Sequence, residues 1–319
     1  MMKYAFVFPG QGSQSIGMLA DLNASYPVVK QTFVEASEWL GYDLWKLTQF
    51  GPEADLNQTD KTQPALLAAS VAVWRVWREQ DGLLPILMAG HSFGEYSALV
   101  CAGALKFKDA VGLAQDRGRF MQAAVLTGEG AMAALIGLSE QQVTEICAQV
   151  AQGQIVSPVN FNAPSQVVIA GHTPAINRAI EQAKRIGAKK AVLLPVSVPA
   201  HCQLMKPAAE KMAERLAQVV VTTPNIPVIH NVDVTVKSKP IDICLALTTQ
   251  LHSPVRWVET IETMVTEGVK TVFECGPGKV LTGLNKRIAN TLTTLSIGTS
   301  RGLEQAMTMI EEITVCTSI

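Results

Sequence analysis

Residues 90–94 read Gly90-His91-Ser92-Phe93-Gly94 and directly follow the short apolar run 85–89. A serine with a glycine two positions before it and another two positions after it, between a buried strand and a helix, is typical of a nucleophile elbow. The sharp turn lifts the serine hydroxyl away from the sheet, and the small neighbours let strand and helix come close together. Residues 95–102 have the composition of the helix that should follow. We therefore predict that Ser92 is a nucleophile.

A serine hydroxyl is a weak nucleophile at neutral pH, so Ser92 needs a base within hydrogen-bonding distance. His201 is the favoured candidate, because it lies in an extended segment with a proline, and a loop of this kind can reach the edge of a sheet. His91 precedes the nucleophile and is interpreted as structural. The remaining histidines lie in a predicted loop, at a strand end and at a helix end: His172, His230 and His252.

Acyl chemistry on a serine also needs two N–H donors for the developing oxyanion. In elbow folds the residue after the nucleophile supplies one, here Phe93, and an early strand–helix loop supplies the other. The segment Gly10-Gln11-Gly12 is the best candidate for that loop. A dinucleotide-binding loop is excluded, because glycines at 10, 12 and 17 do not have the spacing G-x-G-x-x-G. Residues 276–279 do not have the spacing of a P-loop either.

Arg117 lies on a mostly apolar predicted helix, 108–125. A guanidinium there could bind a substrate carboxylate through two parallel hydrogen bonds. It could equally be a structural arginine paired with a carboxylate of the protein, or a surface residue. The physical properties of the sequence do not choose between these alternatives.

The bulk composition narrows the class of protein. The chain has 319 residues with a net charge of −1, which argues against nucleic-acid binding through bulk charge. Its six cysteines form no C-x-x-C pair, so the sequence predicts no metal site and fits a reducing compartment. The longest apolar stretch, 64–74, is too short to cross a bilayer, and the first residues do not form a signal peptide. We expect a cytoplasmic protein without a membrane segment.

The pattern of strands and helices predicts two units. Hydrophobic content of 48% and the alternation of strands and helices on both sides of residues 85–89 indicate an α/β core with a buried sheet. Between 130 and 195 the order becomes βαββαβ, which is the ferredoxin-like pattern. We therefore predict a discontinuous core of residues 1–127 and 198–319, with residues 128–197 inserted as a small subdomain. The predicted strands are 4–8, 85–89, 131–138, 155–161, 166–170, 191–196, 227–231 and 270–274. The predicted helices are 27–40, 64–80, 95–102, 108–125, 177–186, 204–219, 241–252 and 257–267, with one further helix after residue 279. Another helix is opened by Ser139, with Gln142 three residues on, which is the spacing of a capping box.

Many separate motifs, in order from residue 8 to about 289, resemble those of the malonyl-CoA:acyl carrier protein transacylases of type II fatty acid synthesis. The matching segments are Pro9-Gly10-Gln11-Gly12-Ser13-Gln14, Thr62-Gln63-Pro64-Ala65, Gly90-His91-Ser92-Phe93-Gly94-Glu95-Tyr96, Arg117-Gly118, Asn160-Phe161-Asn162, Val196-Ser197-Val198-Pro199, His201-Cys202, Gln250-Leu251 and Gly276-Pro277-Gly278-Lys279. The resemblance implies a hydrolase-like α/β core with an inserted ferredoxin-like domain.

The resemblance also implies roles for individual residues. Ser92 would be acylated and His201 would be the general base, oriented by the main-chain carbonyl of Gln250 rather than by an aspartate. Arg117 would bind the malonyl carboxylate. Gln11 and Phe93 would supply the oxyanion N–H groups. Three further residues would bind substrate: Asn160, Asn162 and Gln63.

The implied reaction moves a malonyl group from malonyl-CoA to the phosphopantetheine thiol of holo acyl carrier protein, in a monomeric enzyme that needs no cofactor and no metal. A basic surface for the acidic carrier protein is expected at Lys184, Arg185, Lys189 and Lys190, or at Lys286 and Arg287. Two positions depart from the family, in which relatives often have Leu at Phe93 and Ser at Ala200. Three alternatives remain open: a serine hydrolase such as a thioesterase, an acyltransferase of a polyketide pathway, and a non-catalytic module that binds carrier protein.

Overall fold

The computed structural model describes residues 3–196 and 198–316, with side chains to residue 311. Ser197, part of the segment 196–199, lies outside the described residues. The strands are β1 Lys3–Phe8, β2 Leu87–Gly90, β3 Gly130–Ile136, β4 Val156–Ala163, β5 Gln166–His172, β6 Lys190–Leu193, β7 Val228–Ile229, β8 Val269–Glu274 and β9 Thr293–Ser296. The helices are α1 Ala20–Ser25, α2 Val28–Leu40, α3 Leu44–Phe50, α4 Glu53–Leu56, α5 Thr59–Glu79, α6 Gly94–Cys101, α7 Phe107–Ala123, α8 Glu140–Val150, α9 Thr173–Arg185, α10 Lys206–Leu216, α11 Pro240–Gln250, α12 Trp257–Thr266, α13 Val280–Ile288 and α14 Ser300–Cys316.

Five of these strands form a parallel sheet in the order β7-β2-β1-β8-β9. Alternate residues of β1 enter two different hydrophobic cores: Phe6 and Phe8 pack on one face of the sheet, and Ala5 and Val7 on the other. A sheet covered on both faces explains the uninterrupted apolar run in β1 and the high apolar content of the chain. The predicted α/β class is confirmed.

A second sheet is antiparallel, with strand order β4-β5-β3-β6. Helices α8 and α9 cover it and share a separate core that includes Leu135, Val143 and Ile176. The capping box predicted at Ser139 and Gln142 is present at the start of α8. The chain leaves the parallel sheet after α7, forms these elements in the order β3-α8-β4-β5-α9-β6, and re-enters the parallel sheet at β7.

Three local predictions were wrong. Helix α5 begins at Thr59 rather than at Pro64, and the Thr62 hydroxyl supports its first turn by donating to the Gln58 carbonyl over 3.0 Å. The helix predicted over 204–219 is a 3-10 turn, Gln203–Met205, followed by α10, which ends at Leu216. The last strand and helix, β9 and α14, were not predicted: β9 has one apolar residue, Leu295, whereas α14 has apolar residues at helical spacing that sequence reasoning overlooked, among them Leu303, Ala306, Met307 and Ile310.

The carboxyl ends of β1, β2 and β8 lie side by side, since Phe8 pairs with Gly90 and Val7 pairs with Glu274. Loops that follow neighbouring parallel strands meet at one edge of a sheet, which is where α/β proteins usually place their sites. No described helix has both the length and the apolar composition to cross a membrane. Within the described part of the chain, no cluster of three or more His, Cys, Asp and Glu side chains could hold a metal ion.

Candidate active site

Ser92 sits in a tight turn between β2 and α6, with a φ of 52° that L-residues rarely adopt. The two flanking glycines are required by space. A Cβ on Gly90 would lie 1.9 Å from the carbonyl carbon of Gly94, and a Cβ on Gly94 would lie 2.1 Å from the carbonyl oxygen of Phe8. Residues 90–94 therefore have the elbow geometry that the G-x-S-x-G spacing predicts.

The elbow aims the Ser92 hydroxyl at a histidine. Ser92 Oγ lies 2.6 Å from His201 Nε2, and His201 Nδ1 lies 2.7 Å from the main-chain oxygen of Gln250. Because a carbonyl oxygen only accepts, Nδ1 carries the proton and Nε2 is free to accept one from the serine. The structure thus brings together Ser92, His201 and Gln250 in the arrangement expected for a serine–histidine pair with a carbonyl in the third position.

His201 is buried, and its surroundings favour the neutral imidazole. Burial is the main cause that lowers the pKa of His201, to about 3, and the charge of Arg117 lowers it further, while the hydrogen bond to Gln250 acts in the opposite direction. The histidine is therefore unprotonated at neutral pH and able to take a proton.

Arg117 lies on α7 with its side chain only 1% exposed. Its Nη2 donates to Gln250 Oε1 over 3.0 Å, its Nη1 contacts Met121 Sδ at 3.3 Å, and its Nε has no partner among the described residues. The guanidinium also lies near the rings of Phe93 and Tyr96, 5.8 and 5.7 Å from their centres. Of the three interpretations left open by the sequence, a surface arginine is excluded by this burial, and pairing with a protein carboxylate is not observed among its described contacts.

A cleft of about 200 Å³ opens over these groups, between the parallel sheet and the antiparallel one. Its polar lining comprises Gln11, Ser13, His91, Ser92, Arg117, Asn160, Asn162, Gln166 and His201. Its apolar lining includes Phe93, Met132, Val168, Leu194, Val198, Leu281 and Leu284. A narrow cleft with a buried cation at one end and apolar walls can hold a short acyl group that ends in a negative charge.

The two predicted oxyanion donors, Gln11 and Phe93, both line this cleft. The Gln11 side chain donates to Thr59 Oγ1 over 3.3 Å, which holds the loop after β1 against α5. Neither backbone N–H is used by another described group, so both are available to a ligand. Gly10 lets the loop approach the elbow, because a Cβ there would lie 2.5 Å from the His91 carbonyl oxygen.

The three residues predicted to bind substrate occupy different places. Asn160 lines the cleft, and its buried Oδ1 has no partner in the described structure. Asn162 also lines the cleft, and its Oδ1 lies 2.7 Å from His91 Nε2, so His91 holds β4 against the elbow. Gln63 lies behind the cleft wall, where its Nε2 contacts Met121 Sδ at 3.5 Å.

Sequence reasoning missed a buried polar network behind the elbow. Glu95, His230 and Asn231 are all wholly buried, and the Glu95 carboxylate accepts from His230 Nδ1 and from the Asn231 N–H. The available signal was Glu95 itself, since a carboxylate in an otherwise apolar helical stretch needs buried donors. Asn231, directly after β7, gave no signal of its own in the sequence.

The fold and the site together define an α/β protein of the acyltransferase class, with a serine–histidine pair and a buried arginine in one cleft. The family model described as "Acyl transferase domain" matches residues 5–306. The chain belongs to this acyltransferase family and, within it, to the malonyl CoA-acyl carrier protein transacylases, as the relatives below establish.

The malonyl CoA-acyl carrier protein transacylase of Salmonella typhimurium is 56% identical over 308 residues, which cover 97% of this chain and 100% of the relative. The crystal structure of an acyl carrier protein S-malonyltransferase from Vibrio cholerae superposes with a TM-score of 0.93 at 57% identity, covering 95% of this chain and 99% of that one. A malonyl-transacylase solved in complex with a type II PKS acyl-carrier protein gives a TM-score of 0.94 at 56% identity, covering 95% and 98% of the two chains.

Proposed function

We propose that this protein transfers the malonyl group of malonyl-CoA to the phosphopantetheine thiol of holo acyl carrier protein, in two steps through a malonyl-Ser92 intermediate, and so supplies fatty acid elongation. The observation that carries the proposal is the convergence of three groups in one cleft: Ser92 Oγ, His201 Nε2 at 2.6 Å from it, and the buried Arg117. The names of the relatives, and the complex of one neighbour with a carrier protein, support the same substrates.

In the first step His201 Nε2 takes the hydroxyl proton as Ser92 Oγ attacks the thioester carbonyl carbon. The N–H groups of Gln11 and Phe93 donate to the oxyanion that forms. The C–S bond then breaks, and the thiolate of coenzyme A leaves with the proton from His201. The product is a malonyl ester on Ser92.

The second step runs the same chemistry with a new thiol. His201 takes the proton of the phosphopantetheine thiol, the sulfur attacks the ester carbonyl, and the proton returns to Ser92 Oγ as the C–O bond breaks. Protons and charges balance in both directions within the serine–histidine pair. The proposal therefore includes neither a metal nor a cofactor.

Arg117 gives the proposed selectivity for malonyl. A buried guanidinium with neutral partners gains a bidentate ion pair when a carboxylate enters, whereas an acetyl group leaves it uncompensated. In this proposal Gln250 has two tasks, since its main-chain oxygen orients His201 and its side chain holds Arg117. Asn160, with an unpartnered buried oxygen in the cleft, is placed to bind the thioester arm, with Asn162 beside it.

We further propose that residues 128–197 are a ferredoxin-like subdomain inserted between the two parts of the core, residues 1–127 and 198–319. The element order βαββαβ and the strand order β4-β5-β3-β6 support this division. We also propose that the protein is a monomer and that it is located in the cytoplasm.

For the carrier protein, the inserted subdomain and α13 offer the basic residues Lys184, Arg185, Lys189, Lys190, Lys286 and Arg287. Two of these are engaged within the chain: Lys184 pairs with Glu181, and Arg287 donates to Gln166, which lines the cleft. Charge reversal at Lys286 should raise the KM for carrier protein and leave the KM for malonyl-CoA unchanged if α13 is the docking element.

Intact-mass measurement tests the central proposal. The protein is incubated separately with malonyl-, methylmalonyl- and acetyl-CoA, and holo carrier protein is then added. We expect a single malonyl adduct on Ser92 that persists in water and moves to the carrier thiol. An adduct that decays to malonate at the same rate without carrier protein would identify a hydrolase instead, and a protein that never acquires an adduct would be a binding module. A preference for methylmalonyl-CoA would favour a polyketide acyltransferase.

A further inference from the structure

One carboxylate behind the elbow collects three hydrogen bonds from distant parts of the chain. Glu95, in the first turn of α6, is wholly buried. Its Oε1 accepts from His230 Nδ1 over 2.6 Å, and its Oε2 accepts from the Asn231 N–H over 3.0 Å and from Gln250 Nε2 over 2.8 Å. These bonds link α6 to the residues after β7 and to the end of α11, so Glu95 helps to fix the relative positions of the three elements.

Two of the residues that donate to Glu95, Asn231 and Gln250, also form hydrogen bonds with the elbow that carries Ser92. Asn231 Oδ1 accepts from the Ser92 N–H over 2.7 Å, and Asn231 Nδ2 donates to the Gly90 carbonyl over 2.7 Å. Gln250 Nε2 also donates to the Ser92 carbonyl over 3.0 Å. Both backbone groups of the strained serine are therefore held by side chains of residues that Glu95 bonds, Asn231 through its main-chain N–H and Gln250 through its side chain.

The same carboxylate reaches the base and the cation through Gln250. The Gln250 main-chain oxygen accepts from His201 Nδ1, and its Oε1 accepts from Arg117 Nη2. If the Gln250 side chain lost its bond to Glu95, its described contacts would be only the Ser92 carbonyl and Arg117, so the residue that orients the base would be held less firmly. Glu95 touches neither the hydroxyl nor the cleft, so its effect is indirect.

We propose that Glu95 is a positioning residue for this reaction: through Asn231 and Gln250 its carboxylate sets the geometry of the nucleophile and of the base. The inference builds on the proposed acyl transfer, but it concerns steps that every acyl donor shares. It therefore predicts a loss of rate that is independent of the acyl group. That outcome separates Glu95 from Arg117, which acts on the malonyl carboxylate alone.

The experiment compares Glu95→Ala, Glu95→Gln and the wild type, with the rate of Ser92 acylation at saturating malonyl-CoA and at saturating acetyl-CoA as readouts. Alanine removes all three acceptor bonds, and we expect it to slow acylation about 100-fold for both donors, the size of effect that misplacement by about 1 Å produces. Glutamine keeps an acceptor oxygen for Asn231 and Gln250, and its amide nitrogen can donate to His230 Nδ1 if the imidazole changes tautomer. It should therefore acylate within about fivefold of wild type.

Glu274→Ala is the matched control, because Glu274 is also a buried carboxylate with three hydrogen bonds, all to α13. It should lower thermal stability and raise the KM for acyl-CoA, since α13 lines the cleft, while the acylation rate at saturation stays close to wild type. A folded Glu95→Ala protein with the same pattern as Glu274→Ala, a changed KM and an unchanged saturated rate, would overturn the inference.

Two further measurements keep the test decisive. If the alanine variant does not fold, Glu95→Asp retains the charge but withdraws both oxygens by one methylene, and a wild-type acylation rate in that variant would also overturn the inference. Labelling of Ser92 with a fluorophosphonate probe reports nucleophile geometry without any malonyl substrate. Slower labelling of the Glu95 variants supports the positioning role even if wild-type protein acquires no adduct from malonyl-CoA, a result that would remove only the proposed function.

Discussion

Two turns at the same edge of the parallel sheet reach positive φ in different ways. Residues 90–94 lead from β2 into α6, and residues 275–279 lead from β8 into α13, on either side of β1. The second turn reaches positive φ with glycines, Gly276 at 153° and Gly278 at 77°. The first turn places Ser92 at 52°, where a side chain is strained by about 1–2 kcal/mol.

The buried glutamate beside each turn also differs in where its hydrogen-bond donors come from: local donors for Glu274, distant ones for Glu95. Glu274 accepts from Leu281 and Thr282 in the first turn of α13, so it caps the helix that its own turn begins. Glu95 accepts from residues 135 to 155 positions away in the chain. A glycine turn needs only local support, whereas a turn that presents a hydroxyl must be held in its strained conformation by the surrounding structure.

The largest expected effect comes from making the first turn resemble the second. Ser92→Gly should abolish acylation, with a loss of at least about 10⁴-fold, because no nucleophile remains. Ser92→Ala should be equally inactive but keep the strain, so the glycine variant should be more stable by about 1 kcal/mol. Intact mass and urea unfolding measure the two quantities. Equal stability of the two variants would mean that the turn is not strained.

Removing the cation beside the first turn should change the choice of acyl group. Arg117→Met is expected to reduce malonyl acylation by about 30- to 1000-fold, the range for removing one partner of a buried ion pair, and to leave acetyl acylation much less affected. Arg215→Met is the control, since it breaks a 2.7 Å ion pair with Asp116, the residue next to Arg117 on α7. Equal losses for both acyl groups in Arg117→Met would contradict a carboxylate clamp.

Arg117 should also affect how the rate of Ser92 acylation depends on pH. The pKa of His201 is lowered to about 3 by burial first and by Arg117 second, so activity should persist well below pH 6 and fall only when the imidazole binds a proton. Without the charge, in Arg117→Met, the pKa of His201 rises and the acid limb of acetyl acylation should move up by on the order of one pH unit. An acid limb at the same pH in both proteins would contradict the coupling.

The lowered pKa of His201 should also make the free energy of unfolding depend on pH. Between about pH 6.5 and pH 3 the unfolded chain binds a proton at His201 that the folded protein does not. This histidine therefore makes the free energy of unfolding decrease as pH falls through that window, and less so in Arg117→Met. Urea unfolding at several pH values, with the two proteins side by side, measures the difference.

The sequence predicts the conformation of the first turn better than it predicts the distant residues that hold this turn in place. Ser92 and its glycines lie within five consecutive residues, and local sterics dictate such a turn. The support comes from Asn231 and Gln250, which are more than 130 positions away, so no local pattern connects them to Ser92. Likewise the capping box at Ser139 is a local signal and was predicted, whereas β9 depends on pairing with β8 and was not.

The smallest effect separates backbone strain from helix propensity at the second turn. Gly278→Ala should cost about 1–2 kcal/mol, because its φ of 77° disfavours any Cβ although the nearest atom would be 3.4 Å away. Gly283→Ala, inside α13 with no atom within 4 Å of the added Cβ, should instead stabilise by about 0.5–1 kcal/mol. Urea unfolding of both variants checks the opposite signs. If Gly278→Ala were neutral, positive φ would cost little at this edge of the sheet, and the strain assigned to Ser92 would have to be revised downward as well.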